Sequence, residues 1–204
     1  MRLPALYAIV DPLDTGRDPV CLAECLLAGG ARLLQLRLPG ASARELLDAA
    51  ARIASMAHRA GALFLVNDRP DIARLADADG THLGQDDLPV RAARRVLGPG
   101  RVVGISTHDV DEARAAEAAG ADYIGVGPVY ATTSKPTDRV PRGLDLVRAA
   151  RAAVACPVVA IGGITADSAP PVRAAGADSV AMIAALVRAR DPTAAVRAVL
   201  DRLG

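Results

Sequence analysis

The stretch Leu63-Phe64-Leu65-Val66-Asn67-Asp68-Arg69, followed after a short amphipathic segment by Thr81-His82-Leu83-Gly84-Gln85-Asp86-Asp87-Leu88, decides how the chain is read. Two apolar runs, 63–66 and 81–83, each stop abruptly at polar residues: Asn67-Asp68 in one case, Gln85-Asp86-Asp87 in the other. If the runs are neighbouring parallel strands, their acidic ends fall on the same edge of one sheet. Carboxylates converging from adjacent strand ends suit a hard cation such as Mg²⁺, which takes one or two carboxylates and completes its shell with water and phosphate oxygens. The competing reading is that Asp and Asn end strands because their side chains make turns.

Working outward, similar apolar runs rich in Val, Ile and Leu recur along the chain and alternate with Ala/Arg/Leu segments of helical period. Strands are expected at 6–10, 33–37, 63–67, 81–83, 102–106, 123–126, 158–161 and 179–183. Helices are expected at 19–28, 43–60, 72–76, 90–97, 110–119, 144–153, 168–175 and 192–203. Four of the strands follow similar helix exits: Gly30-Ala31, Asp79-Gly80, Gly120-Ala121-Asp122 and Gly176-Ala177-Asp178. A glycine there can take the left-handed conformation that stops a helix and returns the chain to the sheet. Ser42, three residues before Glu45, reads as a capping box, and Asp109 caps the helix at 110. Strands this continuously apolar belong to a parallel sheet covered on both faces. The eight β/α units in 204 residues therefore predict a single domain over 1–204, an α/β parallel eight-stranded (β/α)8 TIM barrel. The other architecture is an open doubly wound sheet. Its dinucleotide-binding form is disfavoured, because the first strand ends Val10-Asp11-Pro12 with no Gly-x-Gly-x-x-Gly after it.

Composition narrows the partners. A formal net charge of +1 gives no basic excess for nucleic acid or a membrane surface. Met1-Arg2-Leu3-Pro4 runs straight into a short apolar strand, too short for the apolar region of a signal peptide, and no run approaches bilayer-spanning length. A cytoplasmic protein is expected. Three cysteines with no His or Cys at metal spacing argue against a disulfide framework or a zinc site. Cys21 and Cys25, four apart on a helix, read as small apolar fillers. With 2% aromatic residues there is no obvious hot-spot patch, so a homo-oligomer is left open.

In a barrel of this kind the ligand site lies at the carboxyl ends of the strands. The inventory there is Gln35-Leu36-Arg37, Asn67-Asp68, Gln85-Asp86-Asp87, Ser106-Thr107-His108, the run 127–135 and Gly162-Gly163-Ile164. Carboxylates, cations, hydroxyls and a glycine pair suit an oxygen-rich, phosphorylated small molecule together with a metal. Gln35 and Arg37 alternate with Leu34 and Leu36 and so point into the barrel, where an arginine needs a partner. Gly162-Gly163 follow the seventh strand, a frequent phosphate site. Thr132-Thr133-Ser134-Lys135 fall in the longest stretch without helical or strand pattern, 128–142, which reads as a functional loop. Lys135, the only lysine, is read as a phosphate ligand. His58 reads as a surface residue, His82 as a satisfied histidine facing barrel or helices, and His108 as a helix cap or site residue. None has partners that mark a nucleophilic triad.

Taken in order, these pieces form a pattern: Tyr7-Ala8-Ile9-Val10-Asp11, Gln35-Leu36-Arg37, Val66-Asn67-Asp68-Arg69, His82-Leu83-Gly84-Gln85-Asp86-Asp87-Leu88, Gly104-Ile105-Ser106-Thr107-His108, Gly127-Pro128-Val129-Tyr130, Thr132-Thr133-Ser134-Lys135 and Ile161-Gly162-Gly163-Ile164. The set resembles the thiamine phosphate synthase family over nearly the whole chain, with no large insertion. The resemblance implies a transferase that joins hydroxymethylpyrimidine diphosphate to thiazole phosphate and releases pyrophosphate. It implies Mg²⁺ on Asp68 and Asp87. It places the diphosphate-bearing pyrimidine on Gln35, Arg37, Asn67, Ser106 and Lys135, with Arg37, Ser106 and Lys135 as the catalytic groups. It places the thiazole phosphate on Thr132, Thr133, Ser134 and Gly163, with Ile183 and Ala184 beside them. The implied mechanism is dissociative: diphosphate departs and the thiazole nitrogen captures a pyrimidine-methyl cation.

Two positions depart from the family. Pro39 stands where a lysine usually grips the diphosphate, and Ala184 where a serine usually helps hold the thiazole phosphate. Both changes keep two alternatives in view: an isomerase of the thiazole tautomerase branch, and a non-catalytic relative that binds a phosphorylated ligand. The characterised tautomerases carry a histidine after the glycine of strand 6, whereas this chain has Pro128 after Gly127. The acidic pair Asp68 and Asp87, of no evident use to a tautomerase, favours diphosphate chemistry.

Overall fold

The computed structural model describes residues 1–12, 15–134 and 139–204. Eight parallel strands, β1 (Leu6–Val10), β2 (Leu33–Leu36), β3 (Leu63–Asn67), β4 (Gly80–Leu83), β5 (Val102–Thr107), β6 (Tyr123–Val126), β7 (Val158–Ile161) and β8 (Ser179–Met182), pair in chain order. β8 returns to β1 and closes the barrel. The helices between and after them are α1 (Pro19–Ala28), α2 (Ala43–Arg59), α3 (Pro70–Leu75), α4 (Val90–Leu97), α5 (Val110–Ala118), α6 (Gly143–Ala153), α7 (Ala169–Ala174), α8 (Ala184–Val187) and α9 (Pro192–Leu203).

Side chains alternate across each strand, so the sheet faces two cores. Leu6, Ala8, Val10, Leu34, Leu36, Phe64 and Val66 face outward and pack with the helices. Tyr7, Ile9, Leu33, Leu65, Tyr123, Val159 and Ala181 face inward and fill the lumen. Both sets are buried, which is why the strands read as unbroken apolar runs. The two tyrosines take so much interior volume that a neighbour must yield. A Cβ added at Gly104 would lie 2.0 Å from Tyr123 Cζ.

Most boundaries match the sequence reading, and the differences have local causes. α3 starts at Pro70, whose missing N–H costs nothing in a first helical turn. Arg37 and Ile183 lie one residue past β2 and β8, and the four-residue α8 is too short to show a period. The helix exits of the internal repeat also differ among themselves. Gly30, Gly120 and Gly176 have positive φ, but in the remaining exit that role falls to Asp77 at φ 56. Gly80 opens β4 instead, where a Cβ would sit 1.9 Å from the Val102 carbonyl oxygen. Ser42 and Glu45 form the expected capping box, and Asp109 accepts from the Glu112 amide. All three cysteines are free thiols, and Cys21 is exposed, because α1 buries Val20, Leu22, Ala23, Leu26 and Leu27 instead.

Candidate active site

The carboxyl ends of the strands form three adjoining compartments. The deepest lies inside the barrel mouth and is lined by Gln35, Arg37, Asn67, His82 and Ser106 above the apolar floor. Arg37 has its expected partner: Nη1 bonds the Asp11 carboxylate at the end of β1, which is only 1% exposed. The β1–β2 register that pairs Val10 with Leu36 sets these two residues side by side. Gln35, 3% exposed, donates through Nε2 to Tyr7 Oη at 2.7 Å. Tyr7 Oη lies 3.0 Å from Tyr123 Oη, which is 2.8 Å from His82 Nδ1; His82 Nε2 is 2.9 Å from Ser106 Oγ. Burial holds both tyrosine hydroxyls well above their ordinary titration range. His82 thus faces the lumen.

The second compartment, of about 400 Å³, is lined by Asp68, Gln85, Asp86, Asp87, Ser106, His108 and Arg139 among others. Asp68 sits at φ 61, a left-handed conformation that Asp tolerates better than most residues, and its amide donates to the His82 carbonyl at 2.8 Å. Asp87 Oδ2 accepts from the Gly84 amide at 2.7 Å, which holds its carboxylate at the cavity wall. Gln85 Nε2 donates to the Ser106 carbonyl at 2.6 Å and braces β5. His108 Nδ1 pairs with Glu112 Oε2 at 2.7 Å, and Arg139 lies 3.9 Å from the other oxygen of Glu112. Among the described residues no three His, Cys, Asp or Glu side chains gather as a metal cage. Asp68 and Asp87 in this lining, with Asp86 beside them in the chain, fit a hard cation that takes one or two carboxylates and draws further ligands from water and phosphate.

The third compartment, of about 340 Å³, lies among the loops after β6, β7 and β8 and is lined by Thr132, Thr133, Ser134, Gly162, Gly163, Ile183 and Ala184. Backbone bonds from Val129 to the Ile161 carbonyl and from Tyr130 to the Gly162 carbonyl, both 2.9 Å, lace the loop after β6 to the end of β7. The approach is close enough that a Cβ at Gly163, already at φ 61, would meet the Ala131 carbonyl oxygen at 2.3 Å. Arg188, at the end of α8, points Nη1 to within 3.5 Å of Thr133 Oγ1. Lys135 lies outside the described residues. Pro39 lines a more open cleft outside β1 and β2, whose wall also carries Arg37 and Arg52.

Ile161 and Ile183 line all three compartments. Sequence reasoning assembled most of this mouth but missed Asp11 as the partner of Arg37, the line of Tyr7, Tyr123 and His82, and the cations Arg139 and Arg188. Strand parity was the available signal for the interior line, since the register pairs Asn67 with His82 and Ser106 with Gly125.

Fold and site together define a class, the (β/α)8 barrels whose ligand site opens at the carboxyl mouth. A family model described as thiamine monophosphate synthase (TMP-TENI) matches residues 6–186, and the chain belongs to that family. The thiamine-phosphate synthase of Moorella thermoacetica is 49% identical over 193 residues, covering 94% of this chain and 92% of that one. That of Chloroflexus aurantiacus is 46% identical over 193 residues, covering 94% and 89%. A longer relative, the thiamine biosynthesis bifunctional protein ThiM/ThiE of Symbiobacterium thermophilum, is 50% identical over 199 residues, and this chain spans 41% of its length. Among solved structures, thiamine phosphate pyrophosphorylase from Pyrococcus furiosus superposes with a TM-score of 0.88 at 33% identity, covering 98% of this chain and 95% of that one.

Proposed function

We infer that this barrel mouth joins hydroxymethylpyrimidine diphosphate to thiazole phosphate, forming thiamine phosphate and releasing pyrophosphate. The observation that carries the reading is a shared wall. The interior compartment with Gln35, Arg37, Asn67 and Ser106 and the loop compartment with Thr132, Ser134 and Gly163 have Ile161, Ala181 and Ile183 in common. One substrate in each brings the two reacting halves together across apolar side chains.

In this reading Gln35 and Asn67 orient the pyrimidine, and Arg37, fixed by Asp11, binds its diphosphate with Ser106 and Lys135. As the carbon–oxygen bond to the diphosphate breaks, negative charge grows on the departing oxygens, so donors aimed there stabilise the transition state more than the ground state. The pyrimidine-methyl cation left behind is captured by the lone pair of the thiazole nitrogen, and no side chain has to remove a proton. Gly163, Thr132, Thr133 and Ser134 hold the thiazole by its phosphate, with Ala184 offering backbone only. Ile161 and Ile183 keep water from the cation. Asp68 and Asp87 are the residues that would hold Mg²⁺, which when bound neutralises diphosphate charge and improves the leaving group. Residues 1–204 act as one domain in the cytoplasm, a location that suits substrates too charged to cross a membrane. Among the described residues no helix is long and apolar enough to span one.

Folded protein given the two phosphorylated halves and Mg²⁺ should yield thiamine phosphate and equimolar pyrophosphate. No product, or isomerisation of a carboxythiazole phosphate without metal, refutes the reading.

A further inference from the structure

Beneath the pyrimidine compartment five side chains form one continuous line of hydrogen bonds: Gln35 to Tyr7, Tyr7 to Tyr123, Tyr123 to His82 and His82 to Ser106, at 2.7, 3.0, 2.8 and 2.9 Å. The line has a direction. Each hydroxyl owns one proton, and a buried proton without an acceptor is costly; among the described residues no buried side-chain nitrogen or oxygen lacks a partner. The Gln35 amide nitrogen can only donate, so Tyr7 Oη accepts from it and passes its own proton to Tyr123 Oη. The acceptor then within reach of the Tyr123 proton is His82 Nδ1. A ring nitrogen that accepts carries no proton, so the neutral imidazole carries its proton on Nε2 and gives it to Ser106 Oγ. The Ser106 proton is left over, and the compartment that Ser106 lines is where it can be offered.

Packing keeps the line in register. The His82 and Tyr123 rings stack at 5.5 Å with 22° between planes. Gly125 leaves room for the imidazole, since a Cβ there would lie 3.1 Å from His82 Cε1. Burial keeps both phenols protonated, so the line cannot reverse by loss of a proton from either tyrosine.

We propose that this directional chain makes His82 a positioning residue: locked as the Nε2–H tautomer, it holds Ser106 so that the serine hydroxyl donates to the bound substrate. The functional half rests on the diphosphate reading of this compartment and sharpens it. The substrate atom at Ser106 is an acceptor, as a diphosphate oxygen is, and the fifth member of the line is a donor set in advance of binding.

The direction is read without substrate, by nitrogen NMR of the full chain labelled with ¹⁵N-histidine. His58→Gln and His108→Gln variants assign the other two rings. His82 should show an unprotonated Nδ1 and a protonated Nε2; a protonated Nδ1, or a mixture of tautomers, overturns the proposal. Its role is read by a double-mutant cycle. Tyr123→Phe should mix the His82 tautomers and lower kcat/KM on the order of tenfold, the worth of one hydrogen bond to an ionised group. In a Ser106→Ala background the same change should cost less than about twofold, because the hydroxyl it positions is gone. Two losses that simply multiply overturn the positioning role. Tyr7→Phe, which keeps the Tyr123 hydroxyl but removes the donor that fixes the direction of its proton, repeats the cycle if Tyr123→Phe fails to fold. A wild-type chain with the expected tautomer and no turnover refutes the synthase reading alone.

Discussion

The two ends of this barrel use aspartate for different ends. At the amino end, Asp79, Asp122 and Asp178 each precede a strand, and each carboxylate accepts from a backbone amide of the strand before: Phe64 at 2.8 Å, Val103 at 2.7 Å and Val158 at 2.8 Å. A cationic or titratable partner completes each: His58 at 3.3 Å from Asp79, Arg94 and Arg151 at 2.9 Å from Asp122 and Asp178. At the carboxyl end, Asp11 steadies Arg37, while Asp68 and Asp87 line a cavity. An aspartate tied to the preceding strand's amide and to a side chain from a helix works for the fold; Asp68 and Asp87, which line a cavity, are the ones proposed to serve a ligand. Three of the four helix exits of the internal repeat carry the first of these devices; the other, Gly30-Ala31, leads into Arg32 instead.

The sharpest way to break that contrast is Asp87→Ala. Synthase activity should fall by more than about a hundredfold, as when a transition-state charge loses its support, with a melting temperature only a few degrees lower. Retained activity would remove Asp87 from the site. Arg37→Ala should cost both quantities, because it takes the guanidinium from a carboxylate that is 1% exposed. Urea unfolding should show a loss of about 2 kcal/mol alongside the loss of turnover. Asp178→Ala, at the other end, should lose a comparable 1–2 kcal/mol, roughly the worth of its bonds to Arg151 and the Val158 amide, and leave kcat/KM unchanged. A drop in kcat/KM there would erase the distinction between the ends. Ala184→Ser should lower KM for the thiazole phosphate by about threefold and leave KM for the pyrimidine diphosphate alone.

The smallest effect concerns pH. The amides of Cys156 and then Ala155 hold the Glu117 carboxyl below its ordinary range against a weaker opposing effect of burial. A depressed folded value means that the unfolded chain binds more protons, so this stability is present above the unfolded value and lost as pH falls through the folded one. The melting temperature of Glu117→Gln should therefore fall less steeply with acid than that of the wild type; parallel curves would contradict the assignment.

Much of the fold was legible because strands buried on both faces leave long apolar runs, and eight of them alternating with helices, with no dinucleotide fingerprint after the first, favour a closed barrel over an open sheet. The mouth was legible for a related reason: each strand end is marked by the first polar residues after an apolar run, as at Asn67-Asp68 and Ser106-Thr107. What was hidden depends on register and distance. Asp11 and Arg37 meet only once β1 and β2 are aligned, and Tyr7 reaches Tyr123 across 116 positions of sequence. α8 is four residues long, less than the two turns a helical period needs to declare itself. Cys21, four residues from Cys25 on a helix, read as a small apolar filler, but α1 turns it to solvent.

The most direct test of the division between the ends is a crystal structure of the protein with Mg²⁺ and pyrophosphate. Pyrophosphate is expected on Arg37, Asn67 and Ser106, with one cation shared by Asp68 and Asp87. Pyrophosphate bound away from the carboxyl mouth, or a cation that touches neither aspartate, would contradict it.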